Sequence, residues 1–295
     1  MSGFSTALRS EFFIAKHTTA SKFVLVTPAL IVVVQNFITW LVESGNSARD
    51  GLMNNNGLDE IILSNAYGYF VDGMDTGITI LALLLVSAAA HSLSYDRDSG
   101  FIRHLIIRRV SRPALILAKF TFINLLAIAS FAILVITTYS ITGLFWEYGP
   151  IIEDGFELIS EQEIIAEIYL GLQLAKIPLP AAIAFGAMIS AIAQTAAQAL
   201  MTALGLTLAI DIFKSTLGNY ADYLYARFLP SLIDTSYLSD VSRLVRGYSD
   251  VLVDDHVLQM NTLIPLPTVI IFIGIALFII TVSYTHLTLP TKRIV

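Results

Sequence analysis

The chain has 295 residues, of which 56% are hydrophobic and only 14% charged, and its formal net charge is −6. An ordinary soluble domain carries roughly 25% charged residues, so for much of this chain the solvent is lipid, in keeping with a mean hydropathy of +0.74. Cysteine is absent, which excludes disulfides, thiolate metal sites and a cysteine nucleophile.

The N-terminal segment sets Phe4, Leu8, Phe12 and Phe13 among Arg9, Glu11 and Lys16 at roughly helical spacing. This predicts an interfacial amphipathic helix on the inner leaflet; the alternative is a frayed, solvated terminus. The first apolar block, Phe23 to Val42, exceeds the roughly 7 to 15 residues of a signal-peptide core, and no small-residue cleavage site follows it. It reads as a retained span. Further blocks run from Met74 to Tyr95, Ala118 to Gly143, Ile177 to Gln194, Ala196 to Phe213 and Leu263 onward, each near the length that crosses a hydrocarbon core about 30 Å thick. Only the polar patch Ser190, Gln194, Thr195 and Gln198 separates the fourth block from the fifth. As a tight turn it makes the pair a helical hairpin; otherwise the chain has five spans.

The charges are segregated. Arg9, Lys16 and Lys22 precede the first span, and Arg97, Arg103, Arg108, Arg109, Arg112 and Lys119 join the second to the third, so both segments are expected in the cytoplasm. The stretch from Leu144 to Ala175 holds seven carboxylates and no lysine or arginine, and is expected outside with the connection between spans one and two, where only Arg49 stands against Glu43, Asp50, Asp59, Glu60 and Asp72. The long 214–262 segment is placed outside by parity.

The end of the chain is expected to have a different origin. Val282 to Thr291 reads VSYTHLTLPT, the translation of a transposase-type sequencing adapter in one frame. Residues 282–295 are taken as non-native, leaving 1–281 as a single transmembrane domain whose natural sequence is expected to continue past Thr281.

No phosphate-binding loop, zinc-protease motif or nucleophile elbow is present, and the five histidines are scattered singly. The chain is expected to be a transport subunit rather than an enzyme, with no catalytic residue, metal ligand or cofactor of its own and no nucleic-acid partner. Polar groups inside the apolar blocks are few: Gln35, Asn36, His91, Asn124 and Asp211. They either line a path or join helices to one another. Counting about 24 Å along the helix puts His91 near the inner interface and Asp211 at the outer edge, which favours the plain interfacial reading for both.

The most informative segment is YDRDSGFIRHLIIRRVSRPALILAKF, Tyr95 to Phe120. Asp96 and Asp98 precede Gly100; a short amphipathic stretch follows, then Arg108, Arg109, Ser111, Arg112 and Pro113, with Lys119 opening the third span. The physical reading is a short helix lying against the membrane, ended by proline. It is either a docking foot or a simple positive-inside loop.

The order acidic, x, acidic, Ser-Gly, then Arg-x-Ser-Arg-Pro and a lysine resembles the first cytoplasmic loop of ABC-2 type permeases, the NosY-like branch in particular. Glu11 in the N-terminal helix, the ISAIAQT turn from Ile189 to Thr195 and the six-span spacing extend the resemblance to nearly the whole chain. The sequence departs from the family pattern with Asp for Glu, Val110 where proline is common, and Ala118 before Lys119. The resemblance implies an all-α, six-transmembrane-helix ABC-2 (type V exporter-like) permease in the cell membrane, N-terminus cytoplasmic. It implies two permeases, identical or homologous, docked through this loop on separate ATPase subunits that bind the ATP. The rival class is a non-ABC polytopic protein, either a secondary transporter or a membrane assembly factor. A secondary transporter should show inverted repeats and midplane charges, and no clear repeat is seen.

Overall fold

The structure is a computed structural model describing residues 2–53, 65–100, 111–153, 156–231, 236–246 and 255–283. Those residues form helices α1 (Ser2–His17), α2 (Thr19–Met53), α3 (Ala66–Asp98), α4 (Arg112–Phe145), α5 (Glu161–Lys176), α6 (Leu179–Ile192), α7 (Ala196–Phe213), α8 (Tyr237–Val245), α9 (Asp255–Leu263) and α10 (Pro265–Ser283). An antiparallel hairpin, β1 (Ile151–Glu153) with β2 (Phe156–Ile159), and two 3₁₀ turns, Lys214–Tyr223 and Tyr225–Phe228, complete the elements. Six helical stretches are long and apolar enough to cross a membrane: Thr19–Arg49, Ala66–Asp98, Arg112–Phe145, Glu161–Ile192, Ala196–Gly218 and His256–Thr281. The protein is a helical, polytopic membrane protein.

Local chemistry starts these helices where the sequence allows. Asn65 caps α3 by accepting from the Tyr67 amide at 3.0 Å, Ser111 caps α4 ahead of Pro113, and Thr195 caps α7. Ser160 and Glu163 form a reciprocal capping box that begins α5. That box changes the expected fourth span. The 161–176 stretch, expected to be acidic loop, is helical and continues through Ile177 and Pro178 into α6, because Pro178 keeps a helical conformation (φ −77°, ψ −12°).

Helix α3 is the hub and packs against α2, α4, α6, α7 and α8. Its contact with α6 is the closest. A Cβ on Gly186 would lie 2.6 Å from the Val86 carbonyl oxygen, so only glycine lets the two backbones approach this far. Gly186 lies by Val86 and Ser190 beside Ser94, so the two helices run in the same direction. The chain then reverses at 193–195 into α7, forming the helical hairpin. One end of the bundle gathers α1, the end of α3, the start of α4 and the 193–195 turn, and is rich in lysine and arginine. The other carries the hairpin, α8, α9 and most carboxylates.

Candidate functional site at the basic end

Three successive charged residues end α3, and each reaches a different part of the bundle. Asp96 Oδ2 lies 2.7 Å from Lys119 Nζ on α4, and the same ammonium lies 2.9 Å from Glu11 Oε1 on α1. All three residues are buried: Glu11 is 8%, Asp96 7% and Lys119 5% exposed. A lysine held between two carboxylates offsets the desolvation that any one of these charges would meet alone. The amphipathic helix is therefore turned differently from the sequence expectation. Glu11 faces the bundle with Ala7, while Phe13 is exposed and Phe12, half exposed, sets its ring edge-on to Phe122 at 5.2 Å.

Arg97 reaches the last turn of α6, its guanidinium donating to the carbonyls of Ala193 (2.5 Å), Ala191 (3.1 Å) and Ser190 (3.3 Å). Asp98 accepts from the Ala196 amide at 2.9 Å, in the first turn of α7. A cation at a helix C-terminus and an anion at a helix N-terminus both complement the backbone dipoles, so the 193–195 turn is gripped from both sides. One turn earlier, the Ser94 amide donates to Ser190 Oγ at 2.9 Å. Helix α3 then stops at Gly100, whose φ of +73° is the left-handed conformation that glycine adopts without steric cost; its amide donates to the Arg97 carbonyl at 3.1 Å.

Ser111 and Pro113 begin α4 next to this junction, with Arg112 at its first position. Arg108 and Arg109 lie outside the described residues, as does the 101–110 stretch expected to form the membrane-surface helix. No protein-family model, curated protein or solved structure matches the chain. Among the described residues, Glu11, Asp96, Lys119, Arg97 and Asp98 are each met by an opposite charge or a helix end, an arrangement suited to joining helices.

The five intramembrane polar residues are not brought together. Asn36 is buried beside Gly73 and Thr138. The neighbouring Gln35 accepts from Thr39 through its backbone carbonyl. Asn124 donates to its own helix at Phe120 O, 2.8 Å away, and His91 stacks on Tyr95 with ring centroids 4.8 Å apart. Asp211 lies 2.8 Å from Lys214, whose ammonium also donates to the Ala226 carbonyl at 3.3 Å.

Several residues that organise the molecule escaped the sequence reading. Arg97 counted only as one more inside charge. At the acidic end, Asp72 pairs with Arg246 and accepts from Ser242 at 2.5 Å, and Asp75 accepts from Ser236 at 2.5 Å, so two carboxylates of α3 hold α8 against it. The available signal was two aspartates three apart ahead of an apolar run, but their partners stand more than 160 positions later.

Proposed function

We propose that this chain is the membrane-spanning permease subunit of an ABC exporter of the ABC-2 type, set in the cell membrane with its N-terminus in the cytoplasm. It works as a homo- or heterodimer, and separate ATPase subunits bind and hydrolyse the ATP. The observation that supports this reading best is the junction at the end of α3. The expected docking foot is residues 96–113, and it begins at the point where α1, α4, α6 and α7 are all tied to α3 by Glu11, Lys119, Arg97 and Asp98. A push on that segment has rigid, charge-locked connections through which to move the inner ends of four helices. In this mechanism ATP binding draws two ATPase subunits together, residues 96–113 carry the motion, and the helices rearrange around a path between the two permeases.

The test is to purify the chain with its native partners from its own membranes. An ATPase bearing a phosphate-binding loop is expected in stoichiometric amount, whereas its absence would favour the secondary transporter or assembly factor. Orientation is read on the same protein. Because the chain has no cysteine, Ser10→Cys and Ser160→Cys can each be labelled alone. They should react from the cytoplasmic and the external side respectively, and labelling of position 160 only from the cytoplasm would refute the arrangement.

A further inference from the structure

At the acidic end, where α2 leaves its apolar run, Glu43 is bonded to two members of an aromatic cluster. Its two oxygens accept from neutral donors: Oε1 from the Tyr69 hydroxyl and Oε2 from the Trp146 indole N–H at 2.8 Å. Tyr69 and Trp146 stack at 4.0 Å between centroids, Trp40 stacks on Phe145 at 5.1 Å, and Phe37 lies 6.1 Å from Trp40. Among the described residues Glu43 has no lysine, arginine or histidine partner. Arg246 lies 5.8 Å over the Tyr69 ring and is already paired with Asp72. Arg49 follows six positions later on α2, and Glu147, beside Trp146, adds negative charge.

An ionised carboxylate at the edge of the hydrocarbon with only neutral donors keeps its charge uncompensated, and such groups are costly in that position. Aromatic faces next to it attract cations through their quadrupoles, most strongly those of tryptophan, and quaternary ammonium groups are bound in this way. Tryptophan and tyrosine also mark the depth of the lipid headgroups. Around the site Phe37, Leu41, Val42 and Leu144 expose apolar surface where alkyl chains can lie.

We propose that Glu43, with Trp40, Phe37 and Phe145, forms a binding site for an alkylated ammonium group, as carried by a phosphocholine headgroup or a free quaternary ammonium ion. The carboxylate supplies the opposite charge and the rings supply the faces. Tyr69 and Trp146 fix the carboxylate in place.

The chain's only two tryptophans, Trp40 and Trp146, both stand in this site, so intrinsic fluorescence reports on it directly. The full chain in a neutral maltoside detergent is titrated with tetramethylammonium chloride against sodium chloride at matched ionic strength. A saturable change in tryptophan emission is expected with tetramethylammonium only, with an apparent Kd about tenfold weaker in Glu43→Gln. A change that follows ionic strength alone, or one that a natively melting Glu43→Gln retains in full, overturns the assignment. Should Glu43→Gln not fold, Trp40→Leu must lose the response as read by Trp146, and retention overturns the site equally. Repeating the titration in nanodiscs identifies the occupant. Loss of the response in phosphatidylcholine, but not in phosphatidylglycerol, assigns the site to the lipid headgroup; a response in both assigns it to the free cation.

Discussion

The Ser130 hydroxyl, fully buried on α4, donates at 3.1 Å to the carbonyl of Val24, the backbone acceptor that Pro28 leaves without its helical donor. Proline inside a helix removes the amide that would bond four residues back, and in hydrocarbon an unmet carbonyl finds no water. Ser130 also approaches the Leu25 carbonyl at 3.3 Å, so a single hydroxyl covers the gap and joins α2 to α4. Ser130→Ala should lower stability by about 1–2 kcal/mol. The loss should shrink in the Pro28→Ala background, where the helix meets its own acceptor. Thermal melts of the four proteins in one detergent measure this coupling, and equal losses in both backgrounds would disprove it.

The Lys119 cluster makes a contrasting prediction. Lys119→Met leaves Glu11 and Asp96 buried, close together and without a cation, so a loss of about 3–5 kcal/mol is expected. Replacing all three charges, with Glu11→Gln and Asp96→Asn added, should recover most of that loss, since the uncompensated charge is the source of the cost. Melting temperatures of the single and triple variants check the order.

On α8, burial raises the Asp240 carboxyl above its ordinary value of 3.8, with Arg243 and Arg227 opposing the shift. A carboxyl with a raised folded pKa binds its proton more tightly when folded. Its stabilising contribution is therefore complete below 3.8 and lost as pH rises through the folded value. Asp240→Asn should consequently melt higher than the parent at pH 7, and the difference should close as the pH is lowered through the mildly acid range.

Much of the architecture was legible because it depends on local composition. Apolar blocks mark spans wherever they occur, and the clustering of lysine and arginine before α2 and after α3 needs no tertiary information. The helical hairpin at Ala193 was legible as one of two readings from the polar patch Ser190, Gln194, Thr195 and Gln198, and the cap that Thr195 makes on α7 is seen only in the fold. Residues whose role is set by distant partners were harder to read. Lys119 was visible as a basic residue opening a span, but its burial depends on Glu11, which stands 108 positions earlier. Arg97 looked like any inside charge until the end of α6 came into contact with it. Glu43 looked like part of an acidic loop, because Tyr69 and Trp146 reach it only after three helices have packed. The start of α5 was missed for another reason: the Ser160–Glu163 signal was present, but the surrounding carboxylates drew the reading towards loop.

The permease reading is tested most directly by ATP hydrolysis in the assembled complex. Gly100 holds a left-handed conformation with no described residue against its Cβ position, so Gly100→Val disturbs the backbone within the expected docking foot, at a cost on the order of 1–2 kcal/mol, without altering any charge that sets topology. Reconstituted with its ATPase in lipid, the parent should stimulate hydrolysis. Gly100→Val should insert and bind normally yet lose most of that stimulation, as should Arg109→Lys and Arg112→Lys if a guanidinium fork makes the contact. Hydrolysis by the ATPase that is the same with the parent, with these variants and with no permease at all would contradict the account.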